Sequence, residues 1–210
     1  MSEKVKIAID LMGGDNSPDK NLEGINLFIK RNNKIKDYFF YLFGDENKIN
    51  NKIKNYKHLK DNYKIIHTNI VVSNELSAMS SIKKGKDSSM WKAIQAQTDF
   101  LADVTLSAGN TGVLLVMSKM ILKTLENVDK PALAGLWPNE KNMNVVLDLG
   151  ANVECSEKNL IDFSEMGSAL YKSLFPEEKA KVALLNIGSE EIKGTGLLKS
   201  TFIKLKELDK

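Results

Sequence analysis

The residues best placed to do chemistry are the glycines, asparagines, serines and aspartates that recur just after short apolar runs. Asp10-Leu11-Met12-Gly13-Gly14-Asp15-Asn16 follows the first run and Ser107-Ala108-Gly109-Asn110-Thr111-Gly112 follows a later one. Asp148-Leu149-Gly150-Ala151-Asn152 and Asn186-Ile187-Gly188-Ser189-Glu190 repeat the pattern further on. Open α/β sheets bind ligands at the carboxyl ends of their strands, where such turns fall. Glycines let the backbone turn sharply, and a following helix offers free N–H groups at the positive end of its dipole, which suits an anion such as phosphate. Asn110 reads as the N-cap of a strongly apolar helix, which makes Ser107–Gly112 the best-formed of the four. Each turn alone also reads as ordinary turn and cap chemistry, and the four together favour an anion site.

Lys83-Lys84-Gly85-Lys86-Asp87-Ser88-Ser89-Met90 places three lysines ahead of two serines at a helix start. That pattern fits a cationic clamp on an anionic substrate, and equally a solvated basic loop with Ser88 as a cap. Arg31 is the only arginine, so anion recognition falls to lysine point charges and backbone N–H groups.

Other chemistries lack their residues. Gly194-Thr195-Gly196-Leu197-Leu198-Lys199-Ser200 resembles a P-loop but has no glycine before its lysine, and no complete G-x-G-x-x-G follows the first apolar run. His58 and His67 have no nearby Ser or Cys motif, and His67 reads as structural. Cys155 follows Glu154, which raises a thiol pKa, so it reads as inert; one cysteine and two histidines make no metal cluster.

Positioning these turns requires strands, expected at Val5–Ile9, Phe39–Phe43, Lys64–His67, Val104–Leu106, Ala132–Leu136, Val145–Leu149 and Val182–Asn186. Helices are expected after Ser17-Pro18, from Ser88, from Asn110, over Leu160–Leu174, and from about Thr195 to Lys210. The helix from Asn110 is apolar enough to be buried on most sides. Lys/Asn-rich residues 47–64 read as a solvated helix and loop. This alternation predicts a three-layer α/β/α fold with a mostly parallel sheet, a single domain over residues 1–210. The 210 residues are 42% hydrophobic and 27% charged with a formal net charge of +3, which excludes disorder and gives no case for nucleic acid. Neither a membrane-spanning run nor a signal peptide is visible, and the compartment reads as reducing cytoplasm.

Five blocks in order, Ile7–Asp15, Lys86–Met90, Ser107–Gly112, Asp148–Asn152 and Leu185–Glu190, strongly resemble the PlsX family of phosphate acyltransferases. The resemblance implies a homodimeric α/β/α enzyme of bacterial phospholipid synthesis, related in fold to phosphotransacetylases and isocitrate-dehydrogenase-like proteins. Such an enzyme moves a fatty acyl group from acyl carrier protein to inorganic phosphate, with neither metal nor organic cofactor, in the cytoplasm with peripheral membrane contact. Family members continue beyond residue 210, so the resemblance implies a chain shortened at its C-terminus. They commonly carry arginine where Lys83 stands; lysine keeps the charge and loses the bidentate geometry.

On this reading a phosphate oxygen attacks the thioester carbonyl directly, without an acyl-enzyme. Lys86 neutralises charge, and Asn110 and Asn152 are neutral donors. Phosphate and substrate are held by Gly13, Gly14, Asp15, Asn16, Lys83, Ser88, Ser89, Ser107, Gly109, Thr111 and Gly112, while Asp10 and Asp15 orient the turns. The rival readings are a dinucleotide-dependent dehydrogenase on a related fold, and an inactive fragment or partner-dependent subunit of the acyltransferase.

Overall fold

Val5–Asp10 (β1) alternates its side chains across a sheet, so Ile7 and Ile9 point to one face while Ala8 and Asp10 point to the other. Strands Tyr38–Gly44 (β2), Tyr63–His67 (β3) and Val104–Ser107 (β4) join it in the order β3-β2-β1-β4, with every pairing parallel. The structure is a computed structural model that describes residues 4–32, 35–59, 61–72, 85–140, 142–188, 190 and 193–208. Its contacts divide the chain into two compact units, Met1–Lys123 and Thr124–Lys210.

In the first unit, parallel strands are joined through helices, and these cover both faces as a parallel sheet requires. Asp19–Asn32 (α1) and Glu46–Ile53 (α2) lie on the Ile7/Ile9 face, where Leu22, Ile25, Ile29, Ile49 and Ile53 pack with Phe40 and Leu42. Ser89–Thr98 (α3) lies on the Ala8 face, and its contacts are small: Ala93 and Ala96 meet Ala8, Phe43 and Ala102. Alanine on both sides lets α3 approach the sheet closely, and Thr105 Oγ1 donates to the Ala93 carbonyl at 2.9 Å. Thr111–Leu122 (α4) packs on α3 through Val113 and Met117 against Met90 and Ile94.

Two expectations change here. The helix from Asn110 buries only Val113 and Met117 fully, and Met120 and Leu122 stand half-exposed, because α3 supplies one packing face. The polar stretch 47–64 is not simply solvated, since Ile49, Ile53 and Leu59 anchor it in the core.

The second unit holds a hairpin of Ala134–Pro138 (β5) and Met143–Leu147 (β6), paired antiparallel. Its turn is fixed by Asn139, whose Oδ1 accepts from the Asn142 N–H at 2.7 Å. Glu157–Leu174 (α5) starts at a capping box of Ser156 and Asn159, and Gly196–Leu208 (α6) follows. The expected strand at Val182–Asn186 is not formed: the segment pairs with no strand, and Leu185 is 94% exposed. An apolar run without a ladder partner has no reason to stay extended in a sheet.

Phe40, 2% exposed, is one of the largest fully buried side chains of the first core. Phe40→Ala is expected to cost about 3–5 kcal/mol by denaturant unfolding followed by circular dichroism, and a loss below about 1 kcal/mol would contradict this packing.

Candidate active site

The parallel register brings Asp10 at the end of β1 directly beside Ser107 at the end of β4. Ser107 Oγ donates to Asp10 Oδ2 at 2.7 Å and accepts from the Gly109 N–H at 3.1 Å. Asp10 is 1% exposed, and its Oδ1 has no hydrogen-bond partner among the described residues. Burial pushes its carboxyl pKa above the ordinary 3.8, against the lowering effect of the Ser89 and Ser107 hydroxyls and the Met12 and Gly13 backbone.

Two glycine turns close over this carboxyl. A Cβ on Gly13 would lie 2.5 Å from Asp10 Oδ2 and 2.9 Å from the Gly109 nitrogen, so only glycine lets the turns meet. Gly14 has φ +83°, and a Cβ there would lie 2.7 Å from the Ala108 carbonyl oxygen. The first turn is held from outside: Asn21 Nδ2 donates to the Leu11 and Gly13 carbonyls, each at 2.9 Å, and Ser17 Oγ to the Met12 carbonyl at 2.8 Å. Sequence reasoning passed over Ser17 and Asn21, whose polar types on a helix entry carry no mark of that role. Asp15 and Asn16 lie exposed on the turn.

The second turn leads into α4. Asn110 Oδ1 accepts from the Val113 N–H at 3.1 Å, the expected cap, and Thr111 and Gly112 stand exposed in the first helical turn, whose N–H groups have no intrahelical acceptor. A third turn arrives from α3. Ser88 is fully buried and its Oγ caps the Trp91 N–H at 3.2 Å, while Ser89 sits beside Asp10. Thr68 Oγ1 holds the Asp87 carbonyl at 2.8 Å, and Asp87 takes φ 65°. Lys86 is exposed at the mouth of this turn, and Lys83 lies outside the described residues. A cleft of about 360 Å³ runs beside these turns along α1, walled by Ile7, Ile9, Ile25, Phe28 and Leu106, and Asp10, Lys20, Asn21, Ser107 and Ala108 also line it.

Asn152 belongs to the second unit, where it holds a turn of its own. Its Nδ2 donates to Asp148 Oδ1 at 2.8 Å and to the Pro131 carbonyl at 3.1 Å. Cys155 Sγ donates to Asp148 Oδ2 at 3.2 Å, and its thiol pKa is raised first by burial and then by Asp148 rather than by Glu154. In the Leu185–Glu190 block, Asn186 Oδ1 accepts from the Ile187 N–H at 2.8 Å, and Ser189 lies outside the described residues. His67 Nδ1 accepts from the Glu46 N–H at 3.2 Å, a structural contact at the start of α2. No group of metal-ligating side chains occurs among the described residues.

Because the Asp10 carboxyl has a raised pKa in the folded state, its contribution to stability is present below the unfolded value near 3.8 and is lost as pH rises through the folded value. Wild type is therefore expected to lose stability relative to Asp10→Asn as pH rises through that window, in denaturant melts between about pH 3 and 8. The opposite slope would contradict the buried carboxyl. Gly14→Ala is expected to cost at least about 1 kcal/mol in the same assay, from positive φ and the Ala108 carbonyl.

Residues 5–210 match the sequence family described as "Fatty acid synthesis protein". The chain is 55% identical over 207 residues to a phosphate acyltransferase of Pelagibacter ubique, covering 99% of this chain and 61% of that protein. It is 37% identical to a phosphate acyltransferase of Paramagnetospirillum magneticum, covering 99% and 58% respectively. The chain thus spans about three-fifths of the length of these curated relatives. A solved structure, EutD phosphotransacetylase from Staphylococcus aureus, superposes with a TM-score of 0.59 at 18% identity over 98% of this chain and 64% of that one, a likeness of fold. With its ordered turns and this match along nearly the whole sequence, the chain belongs to the PlsX family of phosphate acyltransferases.

Proposed function

We propose that this chain carries the phosphate-binding part of an acyltransferase that converts acyl carrier protein thioester and inorganic phosphate to acyl phosphate and free carrier, in phospholipid synthesis. The observation that supports this reading is the meeting of three glycine- and serine-bearing turns around Asp10 at one carboxyl edge of the parallel sheet. Free N–H groups at the start of α4 and the Lys86 ammonium supply positive potential there without an arginine. Phosphate, largely ionised at neutral pH, attacks the thioester carbonyl; a C–O bond forms, the C–S bond breaks, and the carrier leaves as a thiolate that takes up a proton. The protein contributes position and a preformed field.

Lys86 neutralises charge in this scheme, and Asn110, whose Oδ1 is committed to the cap, offers its Nδ2 as donor. Asn152 spends its amide on Asp148 and Pro131, so it serves the second unit's turn. The cleft along α1, apolar at Ile7, Ile9, Ile25, Phe28 and Leu106, suits the acyl chain, and Ser107 and Asp10 on its lining stand where the thioester would meet the turns. A second reading, a subunit that works only with a partner or as a homodimer, draws support from edge strand β4, where Val104 and Leu106 are 39% and 51% exposed.

The direct test mixes the purified chain with acyl carrier protein thioester and phosphate and traps acyl phosphate as hydroxamate. Phosphate-dependent product is expected, with kcat/KM lowered about 10- to 100-fold in Lys86→Ala and in Asn110→Ala. A folded chain that makes no product alone but does so with added partner selects the second reading, and none under either condition contradicts both. Gly24 of α1 faces open space, so a side chain there fills the cleft without a clash. Gly24→Leu is expected to raise KM for long-chain thioesters while leaving KM for phosphate unchanged; equal effects on both would remove the cleft from the account.

A further inference from the structure

Asp10 is an expensive residue to bury for a merely structural purpose, since its Oδ1 has no hydrogen-bond partner among the described residues. What it does is fix a direction. A hydroxyl has one hydrogen, and an acceptor-only oxygen at 2.7 Å takes it, so the Ser107 lone pairs are left facing the Gly109 N–H at 3.1 Å. The chain Asp10 Oδ2, Ser107 Oγ, Gly109 N–H therefore runs one way, and it orients the peptide that enters Asn110 and the first turn of α4.

The Gly13 turn rests on the same three atoms. A Cβ on Gly13 would fall within 2.9 Å of Asp10 Oδ2, Ser107 Oγ and the Gly109 nitrogen together. One relay thus sets the spacing of both turns that hold phosphate in the proposed reaction. We propose that Asp10 is a positioning residue for phosphate, acting through Ser107 on the Gly109 turn. This rests on the acyltransferase reading above, and it assigns to Asp10 no contact with phosphate.

Charge supports the arrangement. Among the described residues, the groups that shift the carboxyl are Ser89 from α3, Ser107 from β4 and the Met12 and Gly13 backbone from the first turn, and no charged side chain is one of them. A proton taken up by the carboxyl would sit on Oδ1 and leave Oδ2 an acceptor, so the relay keeps its direction in either protonation state. An asparagine that presents its carbonyl oxygen to Ser107 satisfies the same geometry.

The test is a double-mutant cycle on inorganic phosphate binding, measured by isothermal titration, with KM values for phosphate and for the thioester alongside. Asp10→Ala and Ser107→Ala are each expected to weaken phosphate binding about 10-fold, and the double variant by no more than about 10-fold, because both remove one relay. Asp10→Asn is expected to stay within about 3-fold of wild type, with KM for phosphate following the binding constant and KM for the thioester changing less than KM for phosphate in every variant. If Asp10→Ala does not fold, Ser107→Ala and Asp10→Asn still decide the matter by these same limits. A double variant weakened about 100-fold, or Ser107→Ala binding phosphate as wild type does, overturns the proposal. Wild type that binds no phosphate and makes no acyl phosphate overturns the acyltransferase reading beneath it.

Discussion

The hydrogen bond between Ser107 and Asp10 joins two strands whose sequence positions are 97 residues apart, and the site geometry depends on it. It exists because β1 and β4 are neighbours in a parallel sheet and pair in register at their last residues. Parallel pairing puts all carboxyl ends on one edge, so turns distant in sequence converge there. The alternation within β1 then decides which face each side chain serves: Ile7 and Ile9 build the core under α1, while Ala8 leaves room for α3 and Asp10 reaches the space beneath its first turn.

A carboxyl as buried as Asp10 is a cost that the fold must offset elsewhere. The large apolar core on the opposite face, with Phe40, Leu42, Leu22 and Ile49 at 2% exposure or less, supplies that margin. The turns themselves are stiffened from the protein side. Ser17 and Asn21 hold the carbonyls of the first, Asn110 caps the second, and Ser88 and Thr68 hold the third. Their shape is therefore set by the protein itself, as the proposed site requires if backbone N–H groups and Lys86 are to select an anion without a guanidinium fork.

Much of this was legible in the sequence because local rules and tertiary structure agree in the first unit. Short apolar runs, the caps Ser88 and Asn110, and glycines at strand ends each signal the element that forms. The signals failed where a partner rather than a pattern decides. Val182–Asn186 is apolar enough for a strand but pairs with none, and residues 134–147 form an antiparallel hairpin where parallel strands were expected. Asn152 looked like a donor aimed at substrate, and the fold uses its amide to hold Asp148 and Pro131. Nor could spacing show that Asp10 and Ser107 touch, since nothing local links them; register does.

The most direct test of the central claim follows backbone amide resonances of the isotope-labelled chain while inorganic phosphate is added. If both turns form a single anion site, Gly13, Gly14, Thr111 and Gly112 shift together along one saturable curve. Shifts confined to one of the turns, or a titration in which none of these amides moves, would contradict it.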